Sequence, residues 1–283
     1  MLVGRDGEAT TTIASSVRAA GNPRLSPDGR SLAVVISGEV WRYELDGRPP
    51  IKLTFNGRFF SPLWSPDGQR VITEHSGQNQ LEAVPSDGSG GTPQQASPKG
   101  HFHPHAWTAD GTEIIAAQLE DGGTKTDLVR FPARPDGQVQ TIVATPIREG
   151  FAGALSPDGR WLAYTSESTG RSEIWVRPFP GPGRAVRLSS NGGTEPIWAR
   201  NSKELYYIEG GNMMAAAVET GATFDFKPAV RLFESVYSRS DQAPSYDVTP
   251  DGRFVMIKSD NAGQRPISVI LNWQERLSAQ TAH

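Results

Sequence analysis

The phrase Ser-Pro-Asp-Gly stands at Ser26, Ser65 and Ser156, and it returns as Thr-Pro-Asp-Gly at Thr249 and Thr-Ala-Asp-Gly at Thr108. A degenerate copy, Ala-Arg-Asn-Ser, begins at Ala199. Successive copies are 39, 43, 48, 43 and 50 residues apart. That period is the length of a propeller blade, a small sheet that buries both faces only when stacked against its neighbours. The flanks keep the same register. A large apolar residue precedes each copy (Leu25, Trp64, Trp107, Leu155, Trp198, Val248), and an aliphatic one follows six residues after its first position (Leu32, Val71, Ile114, Leu162, Leu205, Val255). The fifth copy keeps both flanks, so its turn has drifted and its core has not.

The phrase reads as a tight turn between strands. Proline presets φ, aspartate bonds local backbone, and glycine takes the left-handed position that closes a hairpin with a bulge. A third strand follows, as in VWRYEL from Val40, EIWVRPF from Glu173 and ISVILNW from Ile267. A second turn leads to a short fourth strand, as at Asp46-Gly47 before IKLT and Asp136-Gly137 before QTIVA. The expected fold is therefore all-β, a six-bladed propeller of four-stranded antiparallel blades forming one domain over 1–283. The blades are expected at about 20–54, 59–97, 102–145, 151–190, 194–234 and 243–274. Few residues follow ISVILNW, while LVGRDGEATTTI from Leu2 reads as the end of a third strand, a turn and a fourth strand. Residues 2–13 are expected to close the ring on the C-terminal blade and remove its free edge.

Composition narrows the partners. A net charge of -3 with both signs interspersed gives no footprint for nucleic acid or an anionic membrane. No apolar run reaches the roughly 18 residues a spanning helix needs. The sequence shows no export signal, so the chain reads as soluble, and the absence of cysteine excludes disulfides and thiolate metal sites.

The pattern PLWSPDG at Pro62–Gly68, repeated in outline along nearly the whole chain, resembles the TolB-like propeller repeat, related to WD repeats but without their Trp-Asp signature. The runs RSEIWVRPFPGPG, NGGTEPIWAR, KELYY, YDVTPDGRFVMIK and VILNW are similar to the propeller at the C-terminal end of many bacterial serine/threonine protein kinases. In such proteins the propeller lies beyond a membrane-spanning helix, which implies an extracytoplasmic sensor or docking domain of a larger parent. Kinase-attached relatives carry more propeller-like sequence before the segment resembling LVGRDG, which leaves open a parent with more than six blades. No kinase motif is present here: the glycine-rich loop, HRD and DFG are all missing.

Chemistry is sparse in the sequence. There is no GxSxG elbow, HExxH or calcium loop. His101, His103 and His105 alternate in HFHPH, a spacing that would set three rings on one side of a strand as candidate metal ligands, but Pro104 disturbs the alternation and no carboxylate adjoins it. Trp64, Trp107 and Trp198, at equivalent positions, read as packing between blades. The remaining candidates are on loops opposite the turns: Arg58, Phe59, Phe60, His101, His103, Arg148, Glu149, Phe151 and Glu195. They are expected to gather at the channel mouth and bind a protein or peptide, or a small ligand. The chain is read as a non-catalytic monomer that needs no cofactor. The alternatives are a metal-dependent propeller hydrolase, lactonase or lyase, and a structural gate beside a peptidase domain.

Overall fold

The computed structural model describes residues 1–13, 20–119, 125–147, 149–235, 237 and 244–258. These form strands and turns with no helix. Six antiparallel sheets follow the sequence repeat. Blade one holds Ala20–Leu25, Ser31–Ile36, Glu39–Glu44 and Ile51–Lys52. Blade two holds Phe59–Trp64, Arg70–His75, Gln80–Pro85 and Gln94–Gln95. Blade three holds His101–Trp107, Glu113–Leu119, Thr126–Pro132 and Gln140–Val143, and blade four Glu149–Leu155, Trp161–Ser166, Glu173–Pro178 and Val186–Arg187. Blade five runs Thr194–Trp198, Glu204–Glu209 and the long Asn212–Thr220, which pairs with both Phe224–Phe226 and Val230–Glu234. The first strands touch one another in cyclic order, the first strand of blade six, Tyr246–Val248, returning to that of blade one. The chain is a six-bladed propeller.

Blade six is built from both ends of the described chain. Its order is Tyr246–Val248, Phe254–Met256, Leu2–Val3, Ala9–Thr11, with Leu2 opposite Val255 and Val3 opposite Phe254. The place beside Phe254–Met256, expected for ISVILNW, is thus held by Leu2–Val3; Ile267–Trp273 lies outside the described residues.

All six repeated turns join the first and second strands. In blade one Gly29 N–H donates to Ser26 O (2.9 Å), Ser31 N–H to Ser26 Oγ (2.9 Å) and Arg30 N–H to Asp28 Oδ1 (3.0 Å). The fifth copy keeps the frame: Ser202, at φ +58°, stands in the glycine's left-handed position and Asn201 Oδ1 accepts from Lys203 N–H. The sixth turn is one residue tighter, since Thr249 N–H donates to Arg253 O rather than to a residue five positions on. Phe254, not Val255, therefore pairs with Val248. The turns share one side of the ring. A Cβ on Gly29 would stand 3.0 Å from Pro250 of the preceding turn, and Gly68 and Gly111 face Pro27 and Pro66 in the same way.

The core is divided into six seams, one between each pair of neighbouring blades. Ala33, Val40 and Leu53 meet Phe59, Trp64 and Val71 at the first. At the last, Leu2 and Val255 meet Leu25 and Leu32, the smallest of the six clusters among the described residues. Trp64, Trp107 and Trp198 all pack between blades as expected, and in two of them the indole also bonds across the seam: Trp64 Nε1–H donates to Arg24 O and Trp198 Nε1–H to Ala154 O, both 3.0 Å. Apolar burial and an indole hydrogen bond thus hold the same joint.

Candidate functional site

The innermost strands enclose a channel, and at its turn side lies a cavity of about 260 Å³ to which all six blades contribute. The residue two before each turn lines it: Arg24, Leu63, Ala106, Ala154, Ile197 and Asp247. Pro27, Pro157 and Arg200, from the turns themselves, border the mouth. The indoles of Trp64 and Trp198 and the ring of His105 complete the wall.

Arg24 is half-buried here. Among the described residues its Nη1 donates only at long range, to Tyr246 O (3.3 Å) and Pro23 O (3.5 Å). Burial pulls the guanidinium below its ordinary value, and the carboxylates of Asp247 and Glu195 pull the other way. Those carboxylates are committed elsewhere. Asp247 accepts from Leu25 N–H (2.8 Å) and Val248 N–H (2.7 Å), and Glu195 Oε2 from Ser245 N–H and Oγ–H, both 2.6 Å.

His105 is buried, with Nε2 2.6 Å from Gly150 O in blade four. A carbonyl only accepts, so Nε2 carries the proton. Burial holds the imidazole down to about 3, the Gly150 bond opposing, so the ring is neutral near pH 7 and Nδ1 is a bare acceptor. No protein group bonds Nδ1 among the described residues.

The loop side is different. Arg58 is exposed, and Phe60 and His101 are half-buried. Phe59 is buried in the seam between blades one and two and stacks on His75, with centroids 4.5 Å apart. His103 is buried with Nδ1 2.8 Å from Glu74 Oε2. Glu149 is buried and accepts from Thr145 Oγ1–H (2.9 Å); Glu195 is buried at a φ of +56° and, through Ser245, ties blade five to blade six. Arg148 lies outside the described residues, and of Phe151 only the backbone is described.

The histidines do not gather. A register shift between Pro104 and Ala106 breaks the alternation, so His103 reaches back to blade two while His105 reaches forward to blade four. Among the described residues no three His, Asp or Glu side chains are grouped as a metal would need.

Arg24, Asp247 and Arg200 are absent from the sequence-based candidates. The signal for the first two was the column two before each turn, apolar in four copies and charged in Arg24 and Asp247.

No protein-family model matches the chain. Among curated proteins it is similar to an uncharacterized protein of Agrobacterium fabrum, 27% identical over 173 residues, which spans 54% of this chain and 53% of that protein. It is also 28% identical over 177 residues to the Tol-Pal system protein TolB of Anaeromyxobacter dehalogenans, across 60% of this chain and 35% of TolB. Of solved structures, a TolB candidate from Agrobacterium tumefaciens superposes with a TM-score of 0.64 at 20% identity, covering 84% of this chain and 91% of its own. TolB from Acinetobacter baumannii gives 0.57 at 17%, covering 86% and 58%. The fold is TolB-like. An oligogalacturonate lyase from Vibrio parahaemolyticus also superposes, at 0.56 and 12% identity over 81% of this chain and 67% of its own, a likeness to the TolB-like ring in fold alone. The chain thus matches about half of its first curated relative and about a third of TolB.

Proposed function

We propose that this TolB-like propeller is a non-catalytic recognition module that binds a protein or peptide partner at the turn-side mouth of its central channel. One observation carries the reading: the cavity has a rigid six-stranded wall and, in Arg24, a guanidinium whose hydrogen bonds are only long ones to carbonyls. A concave site with a few placed polar groups on a rigid scaffold is what recognition requires. The similarity to TolB of the Tol-Pal system favours a protein as the partner. On the loop side Phe59, His103, Glu149 and Glu195 are engaged in packing or hydrogen bonds, which leaves Arg58, Phe60 and His101 as a smaller second patch. The kinase-like runs near Arg171–Gly183 support a larger bacterial parent, such as a serine/threonine kinase, in which the propeller is an extracytoplasmic sensor or docking domain. The lyase likeness is one of fold, and no reaction is proposed from it.

The test is selection from a displayed peptide library, followed by calorimetry of the enriched peptide with the whole chain. Arg24→Met and Arg200→Ala are expected to weaken binding by tenfold or so. Binding lost in Arg58→Ala and His101→Ala but kept in Arg24→Met would move the site to the other face, and selection that enriches no binder would remove the reading.

A further inference from the structure

The cavity is out of balance in hydrogen bonds rather than in charge. Asp247 and Glu195 are its nearby anions, and both already accept from backbone N–H groups. Arg24 offers five N–H donors and, among the described residues, uses only Nη1, at 3.3 and 3.5 Å. Arg200 stands exposed at the mouth on the same side. Donors are therefore in surplus at one end of the cavity. The ring of His105 belongs to its wall, with Nδ1 itself buried away from the cavity.

Size narrows the guest further. About 260 Å³ is below the roughly 300–1,000 Å³ of ordinary small-molecule pockets, so the space takes a single side chain or a molecule of a few heavy atoms. A planar guanidinium with open N–H groups is matched by a planar carboxylate, which accepts two parallel bonds. Phosphate would also accept, but two apolar edges, Leu63 and Ile197, and two indoles face the remaining space and suit a group with a carbon skeleton.

We infer that the turn-side cavity binds a carboxylate, held by Arg24 and Arg200. The carboxylate comes either from an acidic residue of a partner chain or from a free small acid. This deepens the recognition reading above and rests on it.

The experiment uses the whole chain and charge-neutral isosteres. L-Lactate is titrated against lactamide, and two synthetic hexapeptide pools, identical except for Asp or Asn at the fourth position, are compared for retention. Each probe is repeated on Arg24→Met, on Arg200→Ala and on Arg187→Ala, the last lying exposed on an outer strand. Lactate or the Asp pool is expected to bind about tenfold better than its neutral counterpart, with the difference abolished in Arg24→Met and kept in Arg187→Ala. Retention of the Asp pool identifies a partner chain as the source; response to lactate alone identifies a free acid and removes the protein-partner reading while this inference stands. Equal binding of charged and neutral probes overturns the inference and leaves the recognition reading intact. No binding of any probe by the wild-type chain overturns it as well, and the display selection then decides the recognition reading separately. If circular dichroism shows that Arg24→Met does not fold, Arg200→Ala, at an exposed turn position, carries the same comparison, and an undiminished charge preference there overturns the inference.

Discussion

The carboxylate of Asp247, in the innermost strand of blade six, accepts the backbone N–H of Leu25 in blade one at 2.8 Å. This bond crosses the seam where the ring closes, beside the apolar cluster of Leu2, Leu25, Leu32 and Val255. Asp247→Ala would leave the N–H groups of Leu25 and Val248 buried without their partner. A loss of roughly 1–3 kcal/mol is expected in urea unfolding. An unchanged midpoint would mean that apolar packing alone holds the seam.

Closure also depends on the N-terminal strand. Val3 is fully buried against Phe254 and packs with Tyr206 and Tyr246. Removing residues 1–11 should uncover the edge of Phe254–Met256 and lower the melting temperature or cause association on size exclusion. A monodisperse truncated chain with the parent's melting curve would place the closing strand elsewhere.

The fifth turn carries strain that the others avoid. Ser202 holds φ +58° where the other copies have glycine, so Ser202→Gly is expected to raise stability by up to about 1 kcal/mol. Gly159→Ala is the converse experiment. Gly159 sits at φ +71° with nothing within 4 Å of an added Cβ, so the expected cost, about 1 kcal/mol, is conformational alone. If both substitutions leave the unfolding midpoint where it was, the turns tolerate what the backbone geometry says they should not.

His105 gives the fold an acid limit. Burial holds its imidazole to about 3, against about 6.5 in an unfolded chain. The unfolded chain therefore takes up a proton there first as pH falls. The contribution of the neutral ring is whole above pH about 6.5 and is lost progressively toward pH 3, with a slope approaching about 1.4 kcal/mol per pH unit. Between pH 6.5 and 4.5 the wild-type chain should lose more stability than His105→Gln. Parallel pH profiles for the two would show that the ring titrates alike in folded and unfolded chains.

The propeller was legible because each turn states its backbone requirement in the side chains themselves: Pro27 for φ, Asp28 for the N–H groups, Gly29 for the left-handed position. The fifth copy shows the limit of that reading, since Ser202 takes the glycine's conformation without being a glycine. The site was less legible because burial is a property of neighbouring blades. Phe59 and Glu195 look like loop side chains in the sequence, yet one fills a seam and the other bonds across one. Arg24 and Asp247 stand in a column that packing makes the channel wall, and only the repeat alignment shows them out of place there. The period of two that seemed to align three histidines failed at one bulge, which turned His103 and His105 toward opposite blades.

Recognition in the turn-side channel can be read out by fluorine NMR of the chain labelled with 5-fluorotryptophan, titrated with the peptide enriched by display. Trp64 and Trp198 line the cavity, while Trp41 stands on the third strand of blade one beside Lys52. The resonances of Trp64 and Trp198 should shift together and saturate at the calorimetric stoichiometry, with Trp41 unmoved. A shift of Trp41 with Trp64 and Trp198 unchanged would place the partner outside the channel and rule out recognition there.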